Sequence, residues 1–571
     1  MHMNSMVCAA LAALVVGFAG AAGAVSPPPV KASNGMVVTA QRLASEVGAE
    51  VLRAGGNAVD AAVAVGYALA VVHPCCGNIG GGGFATLRMA DGKATFFNFR
   101  EKAPAAATRD MYLDAAGELV PDLSTVGYKA VGVPGTVMGL EAMRTTYGTM
   151  SREALLAPAI RLARDGFVLT EGDAAILGGS AEGLAGQANV TAIFFRDGAP
   201  LKTGDRLVQT DLAATLQTIS DGGVDAFYKG GIAADVVSAS DANGGILSMQ
   251  DFADYTVAET APLHCGYRDT EIISAPPPSS GGTTICQILN TVEGYPMGEL
   301  GFQSAQGVHY LVEAMRHAFV DRNFLLGDPD FVDNPVERLV SDDYAAAIRA
   351  TIRPDRAAKS EEVRPGTPPH ESTETTHYSV VDRDGNAVSV TYTINALFGA
   401  RVIAGNTGFF LNDEMDDFTA RPAAPNMFGL VQGEKNAIQP GKRPLSSMSP
   451  TIVTKDGRLF MVTGSRGGPR IISATVATIM NVVDYGMNMQ EAVDAPRIHH
   501  QWLPDQIFLE PMALSADTRA RLESRGHKLV DAKVWGGVAA INAVPDESEP
   551  DGIMLYGAND DRQPAGGAVG H

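Results

Sequence analysis

Three segments of the sequence share one local pattern, and this pattern constrains the fold more than any other feature. In each, two runs rich in β-branched and aromatic residues are joined by an Asp-Gly pair: Asp91-Gly92, Asp384-Gly385 and Asp456-Gly457. An Asp-Gly pair between such runs is typical of a tight hairpin turn, because both residues tolerate positive φ angles. The pattern predicts a chain built around three antiparallel hairpins.

The turn of a hairpin also sets which residues face each other across its strands. In the second hairpin, Asp382 opposite Asn386 places Thr375 opposite Thr393. Asn395 follows two residues later and points to the same side as Thr393. The sequence therefore predicts that these three polar side chains gather at the open end of this hairpin.

The same reasoning places further polar residues at the open ends of the other hairpins. In the first, residues 84–90 are predicted to pair with 94–100, which leaves Arg100 at the end. In the third, Ser446 and Ser447 are predicted to lie opposite Arg466 and Gly467, in an approximate register because prolines interrupt the ladder.

Helical patterns flank these hairpins. Residues 44–53 are predicted to form one helix, and Asn57 is predicted to cap a second that reaches His73 and is buried on all sides. Residues 80–83 are four glycines, but they lack the frame of a phosphate-binding loop, so they indicate tight backbone packing. Residues 471–485 form a third helical pattern directly after Gly467, Gly468 and a proline. Backbone N–H groups at such a helix start bind an anion in some proteins and only water in most.

The charge balance excludes some partners. The chain has 64 acidic and 43 basic side chains, a formal charge of −21. Such a surface repels nucleic acid phosphates and anionic lipid headgroups, so we expect no nucleic acid partner.

The N-terminus predicts export. Residues 7–25 contain no charged side chain and end in small residues, which is typical of a signal peptide cut after Ala24. Residues 1–6 lack the usual Lys or Arg, so an uncleaved anchor is the alternative. After cleavage we expect no stable membrane span and a periplasmic or secreted protein.

Four cysteines follow the signal peptide: Cys75, Cys76, Cys265 and Cys286. They allow three disulfide pairings, and the sequence does not choose among these or free thiols. We expect neither a metal nor an organic cofactor. His309, Glu313 and His317 are spaced along one helix and do not converge on one ion, and the acidic run 411–418 lacks the spacing of an EF-hand.

A threonine is the candidate nucleophile. The segment 353–374 is charged and rich in proline, and a hairpin begins directly after it with Thr375 and Thr376. If the chain is cut before Thr375, the new α-amino group can accept the proton of the threonine hydroxyl, because its pKa is about 8. A Thr-Thr pair is also common at a strand start for its β propensity alone.

A series of motifs runs along the mature chain: 73–74, 77–83, 99–104, 133–136, 276–282, 327–329, 375–382 with 384–388 and 391–395, 415–418, 442–450 and 496–500. In their residues and their order these motifs resemble the γ-glutamyltranspeptidase family over nearly the whole mature chain. The run from Thr375 to Asp382, with 384–388 and 391–395, is similar to the catalytic region of that family.

The resemblance implies an α+β fold, the four-layer αββα sandwich of the N-terminal nucleophile hydrolases. It implies a precursor that cuts itself between Glu374 and Thr375, giving a large subunit of residues 25–374 and a small subunit of residues 375–571 that form a heterodimer. Thr375 is then the nucleophile, Thr393 its hydrogen-bond partner, and Gly467 and Gly468 the oxyanion hole.

The resemblance also implies the substrate, glutathione or another γ-glutamyl amide, whose γ-glutamyl group passes to an amino acid, a dipeptide or water. The implied carboxylate site is Arg100, Ser446 and Ser447, and the implied amino site is Asn395, Glu414 and Asp417. Phe428 stands at the lid position, where a tyrosine is common. The alternatives are an acylase for cephalosporin or glutaryl groups, a poly-γ-glutamate hydrolase, or a solute-binding relative without catalysis.

Overall fold

The computed structural model describes residues 26–363, 375–421, 424–546 and 552–571. The predicted signal peptide 1–24, and Glu374 at the predicted cut, lie outside the described residues. Within the described ranges no helix is both long and apolar enough to cross a bilayer.

The described strands are β1 Val30–Ala32, β2 Gly35–Thr39, β3 Gly82–Arg88, β4 Ala94–Phe99, β5 Phe167–Val168, β6 Phe195–Arg196, β7 Ala199–Pro200, β8 Arg206–Leu207, β9 Ala258–Thr260, β10 Leu263–Tyr267, β11 Thr270–Ser274, β12 Thr376–Asp382, β13 Ala387–Thr393, β14 Thr451–Lys455, β15 Arg458–Thr463, β16 Ser465–Arg466, β17 Ile498–His499, β18 Ile507–Leu509, β19 Leu529–Asp531, β20 Gly537–Pro545, β21 Ile553–Asn559 and β22 Gly567–Gly570.

The described α-helices are α1 Arg42–Arg53, α2 Ala58–Val72, α3 Thr136–Tyr147, α4 Arg152–Asp165, α5 Glu171–Leu184, α6 Ala188–Phe194, α7 Thr210–Tyr228, α8 Gly231–Ala242, α9 Met249–Ala253, α10 Gly281–Glu293, α11 Met297–Leu300, α12 Ala305–Leu325, α13 Val336–Leu339, α14 Asp342–Thr351, α15 Ser360–Val363, α16 Arg470–Val483, α17 Met489–Asp494 and α18 Ala516–Ser524. Short 3₁₀ turns cover Tyr128–Ala130, Glu414–Asp417 and Glu434–Asn436.

Two antiparallel sheets form the centre of the fold. The first has the order β22-β2-β12-β13-β3-β4-β9, and the second β1-β21-β20-β15-β14-β11-β10 with β16 on β20. Alternate residues of β12 face opposite sides, as expected for a strand: Val381 packs in an apolar cluster with Ile452 and Ile541 of the second sheet, whereas Tyr378 and Val380 belong to the cluster that contains α1 and α2. The outer face of the second sheet packs against α10, α12 and α16. The four layers confirm the predicted αββα sandwich.

The second hairpin has the predicted register, with Thr376 opposite Tyr392 and Val380 opposite Val388. Both of its strands are buried throughout. Extending this pairing by one residue beyond Thr376 and Tyr392 places Thr375 opposite Thr393 at the open end of the hairpin. This confirms the predicted arrangement of the two threonines.

The registers predicted for the other two hairpins are wrong in detail. In the first, Gly83 pairs with Phe99, two residues away from the predicted pairing, because the backbone of Met89 already bonds Lys93 at the turn. In the third, Lys455 pairs with Arg458 and a bulge follows at Val453. Asp456 and Gly457 both have positive φ angles, so they alone make a two-residue turn.

The predicted helices are present. The side chain of Asn57 caps α2, and every residue of α2 is buried. α1 and α16 lie within two residues of the predicted starts and ends. The cysteines form two disulfides, Cys75–Cys76 and Cys265–Cys286, so the alternative of free thiols is wrong.

Candidate active site

The end of the β12-β13 hairpin opens into a small cavity of about 20 Å³. Thr375, which precedes β12, and Thr393, the last residue of β13, both line it. Thr375 is 4% exposed. The hydroxyl of Thr393 accepts a hydrogen bond from the backbone N–H of Asn395 at 2.8 Å. The fold therefore brings together the predicted nucleophile and its predicted partner.

The four consecutive glycines hold this end of the hairpin in place. A Cβ atom on Gly81 would lie 1.8 Å from the carbonyl oxygen of Thr393, and one on Gly80 would lie 2.1 Å from that of Phe410. Only glycine permits such close approach of two backbones. The prediction of tight backbone packing at residues 80–83 is confirmed.

The diglycine before α16 reaches the same cavity. Gly467 and Gly468 have φ angles of 126° and 54°, and their carbonyl oxygens accept the first hydrogen bonds of the turn that starts α16. Gly468 lines the cavity, whereas Gly467 is not one of the lining residues. The N–H groups at a helix start carry the positive end of the helix dipole, which stabilises negative charge.

The opposite end of the cavity is charged. The fully buried guanidinium of Arg100 forms ion pairs with Glu414 and with Asp417, and its Nε donates to the carbonyl of Pro444 at 3.3 Å. Glu101 lies 3.5 Å from the same guanidinium. The residues that were predicted to bind opposite ends of a zwitterion thus contact each other in this structure.

This cluster shifts the ionisation of its members. Burial raises the pKa of Glu414 and of Asp417, although Arg100 acts in the opposite direction. Burial also raises the pKa of Glu101 to about 7. Burial alone would lower the pKa of Arg100, but its acidic neighbours, Glu414 first, give a net increase. The net effect favours the charged form of Arg100.

Hydrogen bonds from neighbouring amides fix the acidic 3₁₀ turn Glu414–Asp417. The carboxamide of Asn412 donates to the carbonyls of Gly80 and Gly132 at 2.8 Å, and its oxygen accepts from the backbone of Glu414 at 3.1 Å. Asn395 has a positive φ of 73°, and its Nδ2 donates to the carbonyl of Asp413 at 3.0 Å. This hydrogen bond ties Asn395 to the residue that precedes the turn.

Ser446 and Ser447 line the cavity beside Arg100, as the resemblance implied, but they lie in the segment before β14 and not in a strand. The hydroxyl of Ser446 accepts from the backbone of Met448 at 3.1 Å. Phe428 lines the cavity as well, and a Cβ on Gly468 would lie 2.7 Å from its ring.

One charged lining residue was missed from the sequence, Arg322 of α12. Its guanidinium donates to Ser447 Oγ at 3.0 Å. The signal was available, because Met315 and Phe319 form a buried stripe on α12 and Arg322 continues it at helical spacing. A charged residue on the buried face of a helix indicates that this face packs next to a polar site.

The residues considered for a metal are arranged differently from the helical ladder. His309 and Glu313 lie near His527, not His317, and His309 Nδ1 and His527 Nε2 share a hydrogen bond of 2.8 Å. His309 Nε2 faces the carbonyl of Arg353 at 2.7 Å. The absence of a metal cofactor stays a prediction.

A larger cavity, of about 590 Å³, lies elsewhere and is lined by residues that include Asn34, Arg53, Asp382 and His571. We place the chemistry in the smaller cavity, because that one combines a candidate nucleophile, a helix start and a compensated charge cluster.

Comparison with known proteins identifies the family. The profile described as Gamma-glutamyltranspeptidase matches residues 44–570. The chain is 58% identical to a glutathione hydrolase proenzyme of Pseudomonas sp. (strain A14), over 96% of each chain. It is 47% identical to the glutathione hydrolase proenzyme of Escherichia coli (strain K12), over 97% of each. A cephalosporin acylase structure from Bacillus halodurans superposes with a TM-score of 0.83 at 28% identity, covering 96% of this chain and 97% of that one. The chain therefore belongs to the γ-glutamyltranspeptidase family.

Proposed function

We propose that the chain cuts itself between Glu374 and Thr375 and then uses Thr375 as the nucleophile. Its family makes it a γ-glutamyltransferase with glutathione hydrolase activity, as the sequence predicted. The relatives are named proenzymes, which supports cleavage. The products are a large subunit of residues 25–374 and a small subunit of residues 375–571. The observation that carries the proposal is the position of Thr375 beside Thr393 in one buried cavity.

The first half of the reaction forms an ester. The free α-amino group of Thr375 accepts the hydroxyl proton while Oγ attacks the γ-carbonyl carbon of glutathione. The N–H groups of Gly467 and Gly468 donate to the oxygen on which negative charge develops. The C–N bond then breaks, the proton passes to the leaving amine, and cysteinylglycine departs.

The second half consumes the ester. The α-amino group of Thr375 takes a proton from water or from the amine of an amino acid or dipeptide, and that nucleophile attacks the γ-glutamyl carbonyl. The proton returns to Thr375 Oγ as the ester bond breaks. Because Thr393 Oγ1 accepts from the backbone of Asn395, its own hydrogen is directed elsewhere, and we assign it to Thr375.

Recognition of the donor follows from the charged end of the cavity. Arg100, Ser446 and Ser447 bind the α-carboxylate, because a guanidinium and hydroxyl donors match a planar anion. Asn395, Glu414 and Asp417 bind the α-ammonium group as acceptors. The ion pairs that Arg100 now makes with Glu414 and Asp417 keep these buried charges compensated until the donor inserts its own opposite charges between them.

The lid assignment belongs to the same proposal. Phe428 lies over Gly468, in a loop that runs from the acidic turn towards β14, and it is 4% exposed. We assign it to cover the donor and to exclude water from the ester, through its ring alone because it has no hydroxyl.

The second candidate is an acylase for side chains without the amino group, which the similarity to a cephalosporin acylase favours. The acidic residues at the amino site argue against an acylase of this kind. A glutaryl group has no ammonium group, so its binding would leave these buried acceptors unpaired. Release of p-nitroaniline from γ-glutamyl and glutaryl anilides, with and without glycylglycine, tests the two. We expect strong preference for the γ-glutamyl donor and a faster release with the dipeptide. Equal rates for both donors would favour the acylase, and no turnover of either would favour a solute-binding protein.

Export is proposed from the leader alone. We expect the signal peptide 1–24 to be removed after Ala24 and the protein to be periplasmic or secreted. N-terminal sequencing of both subunits from the native host tests the two cuts together. Starts at Val25 and Thr375 are expected, whereas a large subunit that starts at Met1 would indicate a retained anchor.

A further inference from the structure

Arg322 has unusual partners for a buried cation. Its guanidinium donates hydrogen bonds of 3.0–3.1 Å, all to neutral oxygens: those of Ser280, Asn323, Gln432 and Ser447. It is 1% exposed and lines the cavity that contains Thr375.

Two other buried arginines of the described ranges, Arg100 and Arg497, have carboxylate partners. Arg100 pairs with Glu414 and Asp417, and Arg497 pairs with Asp560. For Arg322, no carboxylate of the described residues lies within ion-pair distance. Burial lowers the pKa of Arg322 to about 10, so the side chain remains charged at neutral pH. A buried charge without a counterion is costly, and an anion that enters beside it relieves that cost.

We propose that Arg322 is a positioning residue for the α-carboxylate of the donor, and that it acts through Ser447. This proposal rests on the proposed role of Ser447 in binding that carboxylate. Because Ser447 Oγ accepts a hydrogen bond from Arg322 Nη2, the hydroxyl hydrogen of Ser447 is left to be donated to the carboxylate. A hydroxyl that accepts from a cation is also a stronger donor.

The state of Arg100 explains why a second cation is required. Both terminal nitrogens of Arg100 are already engaged, one by Glu414 and the other by Asp417. Arg100 therefore meets the donor as a compensated charge, whereas Arg322 makes no ion pair with a carboxylate of the described residues and feels the charge of Asp417 only from beyond ion-pair distance. The two arginines thus have different roles: Arg100 binds the α-carboxylate directly and also contacts the amino site, whereas Arg322 orients the hydroxyl of Ser447 toward that carboxylate.

The test compares two donors that differ only in the α-carboxylate, γ-glutamyl-p-nitroanilide and 4-aminobutanoyl-p-nitroanilide. In Arg322→Gln we expect KM for the γ-glutamyl donor to rise about 10- to 100-fold, with kcat changed less than about 5-fold, since a charge-assisted hydrogen bond is lost. We expect kcat/KM for the 4-aminobutanoyl donor to stay within about 3-fold of the wild type. Arg322→Lys keeps the charge and should be intermediate.

The control is Arg349→Gln, which removes a half-buried arginine that donates to the backbone carbonyl of Asn290 and does not line the cavity. It should leave both donors unaffected. Self-cleavage and the thermal midpoint are followed for every variant. If R322Q does not mature into two subunits, R322K carries the comparison, because it retains the buried charge.

Ser447→Ala separates failure of this proposal from failure of the proposed site. If S447A and R322Q each impair only the γ-glutamyl donor, and R322Q adds less than about 3-fold in the S447A background, the proposal holds. If S447A is selective but R322Q impairs both donors equally, Arg322 is structural and the proposal fails. If S447A itself affects both donors equally, the carboxylate site is misplaced and both proposals fall.

Discussion

The two ends of the catalytic cavity are formed by different kinds of groups, uncharged at one end and charged at the other. The nucleophile end consists of uncharged groups, Thr375, Thr393 and Gly468, which strand pairing and a helix start hold in place. The recognition end consists of buried charges, with Arg100 between Glu414 and Asp417 on a 3₁₀ turn. At the nucleophile end, backbone geometry positions the reacting groups. At the recognition end, the compensation of buried charges selects the substrate.

This division has a physical origin. Strands β12 and β13 are buried along their whole length and pair on both sides, so hydrogen bonds and packing fix the position of their ends. The acidic turn has few backbone bonds of its own, and Asn412 ties it to the glycine-rich segment. A short turn of this kind permits the side chains to exchange an internal ion pair for a ligand. Substitutions at the nucleophile end should therefore mainly lower kcat, whereas substitutions at the recognition end should mainly raise KM.

The largest effect is expected for Thr375→Ala. Loss of the hydroxyl should abolish both self-cleavage and turnover, with a decrease in kcat of at least about 10⁴-fold. A denaturing gel should show one band in place of two. Thr376→Ala is the matched control, because Thr376 is the buried neighbour and its hydroxyl has no partner among the described residues. T376A should still mature and turn over, and two bands from T375A would refute the nucleophile.

A smaller effect is expected for Gly468→Ala. The new Cβ would lie 2.7 Å from the ring of Phe428, so the backbone N–H must move away from the developing oxyanion. We expect kcat to fall about 100-fold with KM little changed, as when one oxyanion donor is lost. Gly486→Ala controls for backbone strain, because Gly486 also has a positive φ of 64° but no atom within 4 Å of its Cβ position. Equal losses in kcat for the two variants would contradict this role.

At the recognition end, Asp417→Asn should spare the chemistry. The substitution keeps the shape of the side chain but removes the charge that binds the α-ammonium group. We expect kcat/KM for the γ-glutamyl donor to fall about 10- to 100-fold, mainly through KM, with normal self-cleavage. A glutaryl anilide, which lacks the amino group, should show no such loss. If D417N fails to cleave itself, the nucleophile end and the recognition end are not separable.

The sequence was sufficient for the nucleophile end because that end depends on local rules. An Asp-Gly turn and strand periodicity place Thr375 beside Thr393, and the observed pairing of Thr376 with Tyr392 agrees. The same rules were less successful for the third hairpin, where a bulge near Val453 shifts the pairing. Bulges depend on contacts between sheets, so a turn residue does not reveal them.

The recognition end was only partly predictable. The resemblance supplied Arg100 and its acidic partners, but not the ion pairs that they form with one another. Arg322 was missed because it lies on α12, far in sequence from every hairpin, and reaches the cavity only through packing of α12 against the loop before β14. The helical spacing of Met315, Phe319 and Arg322 indicates that Arg322 is buried, but which cavity its side chain reaches depends on tertiary structure.

The last prediction concerns the effect of a buried, neutral histidine on the pH dependence of stability. This histidine lies on β12, the strand that begins directly after Thr375. His377 on β12 is fully buried between Thr391 and Ser379, and burial lowers its pKa from 6.5 to about 3. Since the unfolded chain binds a proton below pH 6.5 and the folded chain does not, His377 costs stability as the pH falls from 6.5 towards 3. At pH 5 the cost is about 2 kcal/mol. In His377→Asn, the decrease in the free energy of unfolding between pH 7.5 and pH 5, measured by urea titration, should be smaller than in the wild type by that amount. An unchanged decrease in H377N would mean that the ring is charged inside the sheet.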